Sequence, residues 1–223
     1  MDEILKQIAH CVEFGKINNA SPYPPDMKGQ EGADELTRKA LDSGVPVEDI
    51  LTHALIVGMK NVGVKFRENK VFVPQVLMSA KAMGAAMEHL KPHFASGAAK
   101  RKGTFIIGTV EGDLHDIGKN LVSMMVEGNG YEVIDLGVDV SAGKFLAEAE
   151  KYPHGVIGLS ALLTTTMVNM EKIVKTIKDK YPDRIICIGG APVSDDFCKK
   201  INADFYSPDP QGAVEFLNEL AAG

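Results

Sequence analysis

The sequence predicts a bundle of four helices followed by a flavodoxin-like α/β domain, a doubly wound sheet of five parallel strands. In the first half, apolar residues recur with helical spacing and no strand is evident. From residue 104 onward, short β-branched runs alternate with helical segments, which indicates parallel strands joined by right-handed crossovers. We therefore expect a helical domain over 1–95, a linker over 96–103 and an α/β domain over 104–223.

Proline and glycine divide the helical half. A loop with three prolines separates the first two helices at 18–28, and Gly44 suits the end of the second helix. Pro46 precedes the third helix, whose first turn is acidic, and Pro92 is expected to lie beyond the end of the fourth. The helices are predicted at 3–18, 33–43, 47–68 and 75–90.

The α/β half is recognised by its change of period. Compact β-branched runs are typical of buried strands, and the segments between them have helical spacing. In doubly wound sheets, ligands bind beyond the carboxyl ends of the strands. Strands are predicted at 104–110, 131–136, 155–160, 184–188 and 204–206, and helices at 118–128, 141–152, 167–181, 195–201 and 211–220.

Composition limits the classes of function. The chain has 223 residues, 45% hydrophobic and 24% charged, and its net charge of −6 argues against nucleic acid as a partner. The basic run at 100–102 is interpreted as a solvated linker. Three cysteines without a CxxC pair indicate a reducing cytoplasm rather than a disulfide framework. The acidic N-terminus lacks a signal pattern, and no apolar stretch reaches the roughly 18–20 residues of a membrane span.

Three short motifs follow the first, third and fourth predicted strands, where a ligand is expected. Imidazole is a good ligand for a borderline transition metal, and a carboxylate two residues away could fix its tautomer. A bare Asp-x-His is usually only a surface feature, and Gly-Gly alone predicts only a turn. The motifs, separated by 41 and 26 residues, are Asp113-Leu114-His115-Asp116-Ile117-Gly118, Ser160-Ala161-Leu162 and Gly189-Gly190.

In this order and spacing the motifs resemble the corrinoid-binding signature of cobalamin-dependent methyltransferases, Asp-x-His-x-x-Gly, Ser-x-Leu, Gly-Gly. The resemblance implies cobalamin or a related corrinoid as cofactor, with His115 replacing the cofactor's own benzimidazole as the lower cobalt ligand. It also implies a relay in which Asp113 holds His115 and Ser160 supports Asp113. The other implied cofactor-binding residues are Leu114, Asp116, Ile117, Gly118, Leu162, Gly189 and Gly190.

A second resemblance covers the helical half. Residues 66–83, with Gly58-Met59 and Gly63 upstream, are similar to the cap segment of methyl-carrying corrinoid proteins, such as those of methionine synthase and of methylamine, methanol and O-demethylase systems. This implies that an apolar surface covers the upper corrin face and excludes water. The residues expected there are Val73, Pro74, Leu77 and Met78, although Leu77, Met78 and Met83 could instead be bundle core.

Together the resemblances imply a carrier of methyl groups on cobalt. Its implied partners are a substrate-specific methyltransferase, a second methyltransferase that acts on a pterin or thiol acceptor, and a reductive activator. The alternatives are an adenosylcobalamin mutase small subunit, a cobalamin sensor, and a metal phosphohydrolase that uses His115-Asp116. His89 and His93 have metal-compatible spacing, but Pro92 lies between them and both are interpreted as plain surface residues. The methyl donor stays open among methanol, methylamines, aromatic methyl ethers and betaines.

Overall fold

The computed structural model describes residues 2–95 and 101–222, and these form two compact units. The first unit runs to Arg101 and also includes Gly128–Gly130, whereas the second contains Lys102–Glu127 and the chain from Tyr131 onward. Most of the predicted linker, and Lys100 of the basic run, lie outside the described residues. The linker's bounds therefore stay a prediction.

The first unit contains the predicted helical segments. The chain leaves the first helix at Gly15, whose φ of 73° is the left-handed conformation that commonly ends helices, so this helix is shorter than predicted. The third predicted helix is built from two α-helical pieces joined by a π-helical turn at Leu51–Leu55. The helices are α1 (Asp2–Phe14), α2 (Ala33–Asp42), α3 (Val47–Ile50), α4 (Ile56–Arg67) and α5 (Val73–Ala95).

The prediction that Pro74 and Pro92 lie outside the fourth helical segment was wrong. Helix α5 begins at Val73, so Pro74 occupies its first turn, where the backbone N–H groups have no partner within the helix. Pro92 lies inside α5 and removes one helical hydrogen bond. The helix continues because Leu90 and the turns before it are buried, and such packing overrides local propensity.

The second unit is a sheet of five parallel strands in the order β2-β1-β3-β4-β5, which confirms the flavodoxin-like prediction. All predicted strands and helices are present, with ends shifted by a few residues at most. The strands are β1 (Thr104–Thr109), β2 (Glu132–Asp135), β3 (Val156–Ser160), β4 (Ile186–Gly189) and β5 (Phe205–Tyr206). The helices are α6 (Ile117–Gly128), α7 (Ala142–Lys151), α8 (Met167–Lys180), α9 (Asp195–Lys200) and α10 (Pro210–Ala222).

A core of fully buried side chains holds the central strands against α7 and α8. Ile106 and Ile157, from neighbouring strands, pack in one cluster with Phe145 and Met170 from these helices. Burying a side chain of this size stabilises the fold by about 1.5–3 kcal/mol. The rigid sheet therefore fixes the carboxyl ends of β1, β3 and β4, which carry the three motifs. No helix in the described part of the chain is long and apolar enough to cross a membrane.

Candidate functional site

The first motif lies in an irregular loop between β1 and α6. The loop leaves the sheet at Val110, which still bridges to Val140, and turns at Gly112, whose φ is 83°. Thr109, the last residue of β1, donates its hydroxyl hydrogen to the backbone oxygen of His115 at 2.8 Å. The end of the strand thus holds the loop close to His115.

Asp113 and His115 form the centre of the site. The Asp113 side chain is fully buried, whereas that of His115 is 51% exposed. Oδ1 of Asp113 lies 2.7 Å from Nδ1 of His115 and also accepts the His115 backbone N–H at 3.1 Å. A neutral imidazole that donates from Nδ1 keeps a lone pair on Nε2, so this arrangement leaves Nε2 available for a metal ion.

The second oxygen of Asp113 is held by the segment that follows β3. Oδ2 accepts the backbone N–H of Leu162 at 2.8 Å, that of Leu163 at 3.2 Å and the hydroxyl hydrogen of Thr166 at 2.9 Å. Burial alone would raise the pKa of Asp113, but these donors and His115 hold its pKa well below the usual range. Asp113 is therefore an anion that both orients the imidazole and favours its N–H donation.

The predicted relay named the wrong hydroxyl. Thr166 donates to Asp113, and no hydrogen bond joins Ser160 to Asp113, although the structure describes both residues. Ser160 is the last residue of β3, and the chain first contacts the Asp113 carboxylate at the backbone N–H of Leu162. The sequence did contain a signal for Thr166, since it directly precedes the predicted helix α8 and therefore lies at the same edge of the sheet.

Two further residues, which the sequence analysis missed, hold the loop itself. The backbone N–H of Asp139 donates to the Asp113 carbonyl oxygen at 3.0 Å, and its Oδ1 accepts the N–H of Gly112 at 2.7 Å. On the other side, the side-chain amide of Asn169 donates to the carbonyl oxygen of Glu111 at 2.7 Å. The loop that carries the site is thus anchored from β2 and from α8.

A cavity of about 370 Å³ opens within the α/β unit at this edge. Ser160, Gly189, Gly190 and Gly118 all line it, together with side chains of β1, β4, β5 and α10. Gly190 has a φ of 125°, and a Cβ there would lie 1.8 Å from the Ala161 carbonyl oxygen, so the backbone requires glycine. A Cβ on Gly118 would meet no described atom within 4 Å, so the fold itself does not require glycine at this position.

Large apolar side chains are exposed on both sides of His115 in the chain and in the segment that follows β3. Leu114 and Ile117 are each 71% exposed, and Leu162, Leu163 and Val168 are exposed as well. Single exposed apolar residues are ordinary, but several on the loops at one edge of a sheet are typical of a ligand-binding surface. Asp116, between His115 and Ile117, is exposed and accepts a hydrogen bond from the side chain of Asn120 at 3.0 Å.

The four apolar residues predicted for the upper corrin face lie at the start of α5. Val73, Leu77 and Met78 are half-buried and Pro74 is exposed, whereas Met83 is buried core. Met78 also packs closely against Gly15, the residue that follows α1. A Cβ added to Gly15 would lie 2.6 Å from the Cβ of Met78.

The histidines of α5 do not form a metal centre. His89 lies 2.6 Å from Asp34, and the described residues contain no group of three His, Cys, Asp or Glu side chains placed to hold a metal ion.

Comparison with known proteins gives a consistent set of relatives. Two B12 binding domain models match residues 103–211 and 29–91. A corrinoid protein of Desulfitobacterium hafniense strain Y51 is 38% identical over 83% of this chain and 88% of its own length. Monomethylamine corrinoid protein 1 of Methanosarcina barkeri is 42% identical over 85% and 90%.

Solved structures agree with these relatives. The chain in the methanol:cobalamin methyltransferase complex of Methanosarcina barkeri matches with a TM-score of 0.82 and 32% identity, over 100% of this chain and 81% of that one. A cobalamin-binding protein from Desulfitobacterium hafniense DCB-2 matches with a TM-score of 0.75 and 26% identity, over 96% and 97%.

Proposed function

Since this chain belongs to the corrinoid proteins of cobalamin-dependent methyltransferase systems, we propose that its His115 is the lower cobalt ligand of a corrinoid methyl carrier. Carriers of this family work with methyltransferases, and the relatives favour this role over a mutase subunit or a sensor. The bound corrinoid supplies a cobalt atom that accepts a methyl group and releases it to a nucleophile. The protein supplies binding, orientation and protection from water.

The observation that carries the proposal is the pairing of a buried, ionised Asp113 with an exposed His115. Asp113 orients the imidazole through Nδ1 and leaves Nε2 for cobalt. Thr166 and the Leu162 amide keep the carboxylate anionic, so that it remains an acceptor for the Nδ1 hydrogen of His115.

The cavity fits the nucleotide tail that a displaced benzimidazole would carry. Its volume of about 370 Å³ lies within the usual range of small-molecule sites, roughly 300–1,000 Å³. Because Gly118 and Gly189 have no side chains, the tail could approach the backbone closely at these residues. The Ser160 hydroxyl offers a polar contact inside the cavity. Leu114, Ile117 and Leu162 would support the lower corrin face, because apolar side chains suit the flat surface of a macrocycle.

We also propose that Val73, Pro74, Leu77 and Met78 cover the upper corrin face. Their half-exposed apolar surface supports this role, and Met fits irregular shapes well. Excluding water there would protect a reactive cobalt–carbon bond. In this proposal 1–95 is the cap and 104–223 holds the cofactor.

We further propose three individual partners for the carrier. A substrate methyltransferase loads the carrier, a second methyltransferase transfers the methyl group to a pterin or thiol, and a reductive activator rescues oxidised cobalt. A cytoplasmic location is also proposed, and three free, buried cysteines support it.

Electron paramagnetic resonance tests the ligand directly. Nitrogen-15 protein is reconstituted with unlabelled cobalamin and measured in the Co(II) form. A doublet splitting is expected, because a nitrogen-15 atom of His115 binds cobalt. A nitrogen-14 triplet would mean that the benzimidazole stays bound to cobalt, and it would contradict the assignment of His115 as the ligand.

Two substitutions locate the nitrogen. His115→Ala should lose the doublet but keep part of the corrinoid affinity, because the tail cavity is untouched. His154→Ala is the matched control, since His154 is exposed and precedes β3 at the opposite edge of the sheet. It should leave both the doublet and the affinity unchanged.

A further inference from the structure

Asp139 is an exposed residue in an unusual conformation, in the loop between β2 and α7. Its φ is 54°, the left-handed region that most side chains avoid and that Asp and Asn tolerate best. In this conformation it makes two hydrogen bonds to the histidine loop, the irregular segment between β1 and α6. Its backbone N–H donates to the Asp113 carbonyl oxygen at 3.0 Å, and its Oδ1 accepts the Gly112 N–H at 2.7 Å. One residue therefore holds Gly112 and Asp113 together.

These contacts matter because the histidine loop has little structure of its own. Between Val110 and Ile117 the chain is neither helix nor strand, and Gly112 has left-handed geometry. Val140, next to Asp139, extends the pairing by donating its N–H to the Thr109 carbonyl at 3.0 Å. The β2–α7 loop thus supports the loop backbone at the residue whose carboxylate orients His115.

We propose that Asp139 is a positioning residue for the cobalt ligand, which acts by fixing the Gly112–Asp113 backbone and so the Asp113–His115 pair. This inference rests on the proposed role of His115. A ligand held in place before binding loses less conformational entropy when it coordinates. Without the Asp139 side chain, the loop samples other orientations and His115 competes less well with benzimidazole or water.

Two substitutions separate the hydrogen bond from the conformation and the charge. Asp139→Asn keeps a side-chain oxygen acceptor and the tolerance for positive φ, but removes the negative charge. Asp139→Gly keeps the backbone conformation without strain, but removes the acceptor. Ser194→Ala is the matched control, because it removes a side-chain acceptor, for the Phe197 N–H at 3.2 Å, at the start of α9 and not in contact with Gly112 or Asp113.

The measurement is the ratio of nitrogen-15 doublet to nitrogen-14 triplet in the Co(II) spectrum, with the unfolding midpoint recorded for each variant. Asp139→Gly should lower this ratio about fivefold, the effect of losing one ordinary hydrogen bond. Asp139→Asn and Ser194→Ala should keep the wild-type ratio. This pattern, with Asp139→Gly still folded, supports a positioning role.

The outcomes distinguish this inference from the function beneath it. A wild-type spectrum without a doublet overturns the ligand assignment, and the inference falls with it. A wild-type doublet that persists at full ratio in Asp139→Gly overturns only the role of Asp139. An equal loss in Asp139→Asn and Asp139→Gly also overturns it, because the charge rather than the hydrogen bond would then be responsible. If Asp139→Gly does not fold, Asp139→Ala removes the same acceptor, and a normal ratio in that variant would overturn the role equally.

Discussion

Replacing Thr166 with valine removes a single hydroxyl from the buried centre of the site and keeps the shape of the side chain. The lost interaction is the hydrogen bond to Oδ2 of Asp113 at 2.9 Å, since the charged carboxylate is a stronger acceptor than the Leu163 carbonyl oxygen at the same distance. A hydrogen bond to a charged group contributes about 1.5–3 kcal/mol. Because the amides of Leu162 and Leu163 still contact the same oxygen, we expect the lower end, about 1.5–2 kcal/mol of folding free energy at neutral pH.

The effect should depend on pH with a defined sign. The folded-state pKa of Asp113 is held below its unfolded value, although burial alone would raise it. Its contribution to stability is therefore present above the unfolded pKa of about 3.9 and is lost as the pH falls through the folded pKa. Thr166→Val removes one of the donors that lower the folded-state pKa of Asp113 and so raises that pKa, which means that its destabilisation is complete at pH 7 and shrinks in acid.

Urea unfolding of the protein without cofactor, followed by circular dichroism, measures both quantities. Thr165→Val is the matched control, because Thr165 is the adjacent residue of the same turn and is exposed. Its change should stay within about 0.5 kcal/mol at every pH, as for most surface substitutions. Equal losses for the two variants, or a loss at Thr166 that does not diminish in acid, would refute the assigned role of the hydroxyl.

Three further predictions concern the cavity and the thiols. Gly190→Ala should destabilise the fold by more than about 2 kcal/mol, since its Cβ would collide with the Ala161 carbonyl, whereas Gly189→Ala, whose Cβ would meet only the Ser207 carbonyl oxygen at an ordinary contact distance of 3.6 Å, should cost far less in the same unfolding assay. Gly118→Leu should leave the unfolding midpoint unchanged but weaken corrinoid binding at least about tenfold by calorimetry, and unchanged affinity would contradict a tail in this cavity. Burial raises the pKa of Cys11 to about 11, so iodoacetamide at pH 8 should modify it only after unfolding, as mass spectrometry would report.

The fold could be predicted because it depends on local periodicity. Alternation of β-branched runs and helical segments was enough to specify a parallel sheet, and the motifs at strand ends indicated its functional edge. Pro92 shows where this reasoning fails, since a local stop signal was overridden by the burial of α5. Chain contacts that span one turn are visible in sequence, whereas burial against other helices is not.

The site could be predicted only in part, for the same reason. Asp113 and His115 are two residues apart, so their pairing can be proposed from spacing alone. Thr166 lies 53 residues from Asp113 and Asp139 lies 27 residues from Gly112, and the path of the chain between them decides which hydroxyl and which carboxylate arrive. The resemblance to the corrinoid-binding signature implied that Ser160 supports Asp113, but its position at the end of β3 places it in the cavity wall instead.

The long reach of the Asp113 contacts also has a consequence for biosynthesis. As the chain leaves the ribosome, His115 emerges well before Leu162 and Thr166, the residues that hold its carboxylate partner. An incomplete chain therefore lacks the donors that hold the Asp113 carboxylate, and these donors reach it only after β3 has paired with β1. If His115 is the cobalt ligand that we propose, the cofactor should bind only after the sheet is assembled, so that loading with cobalt would report on the completion of folding.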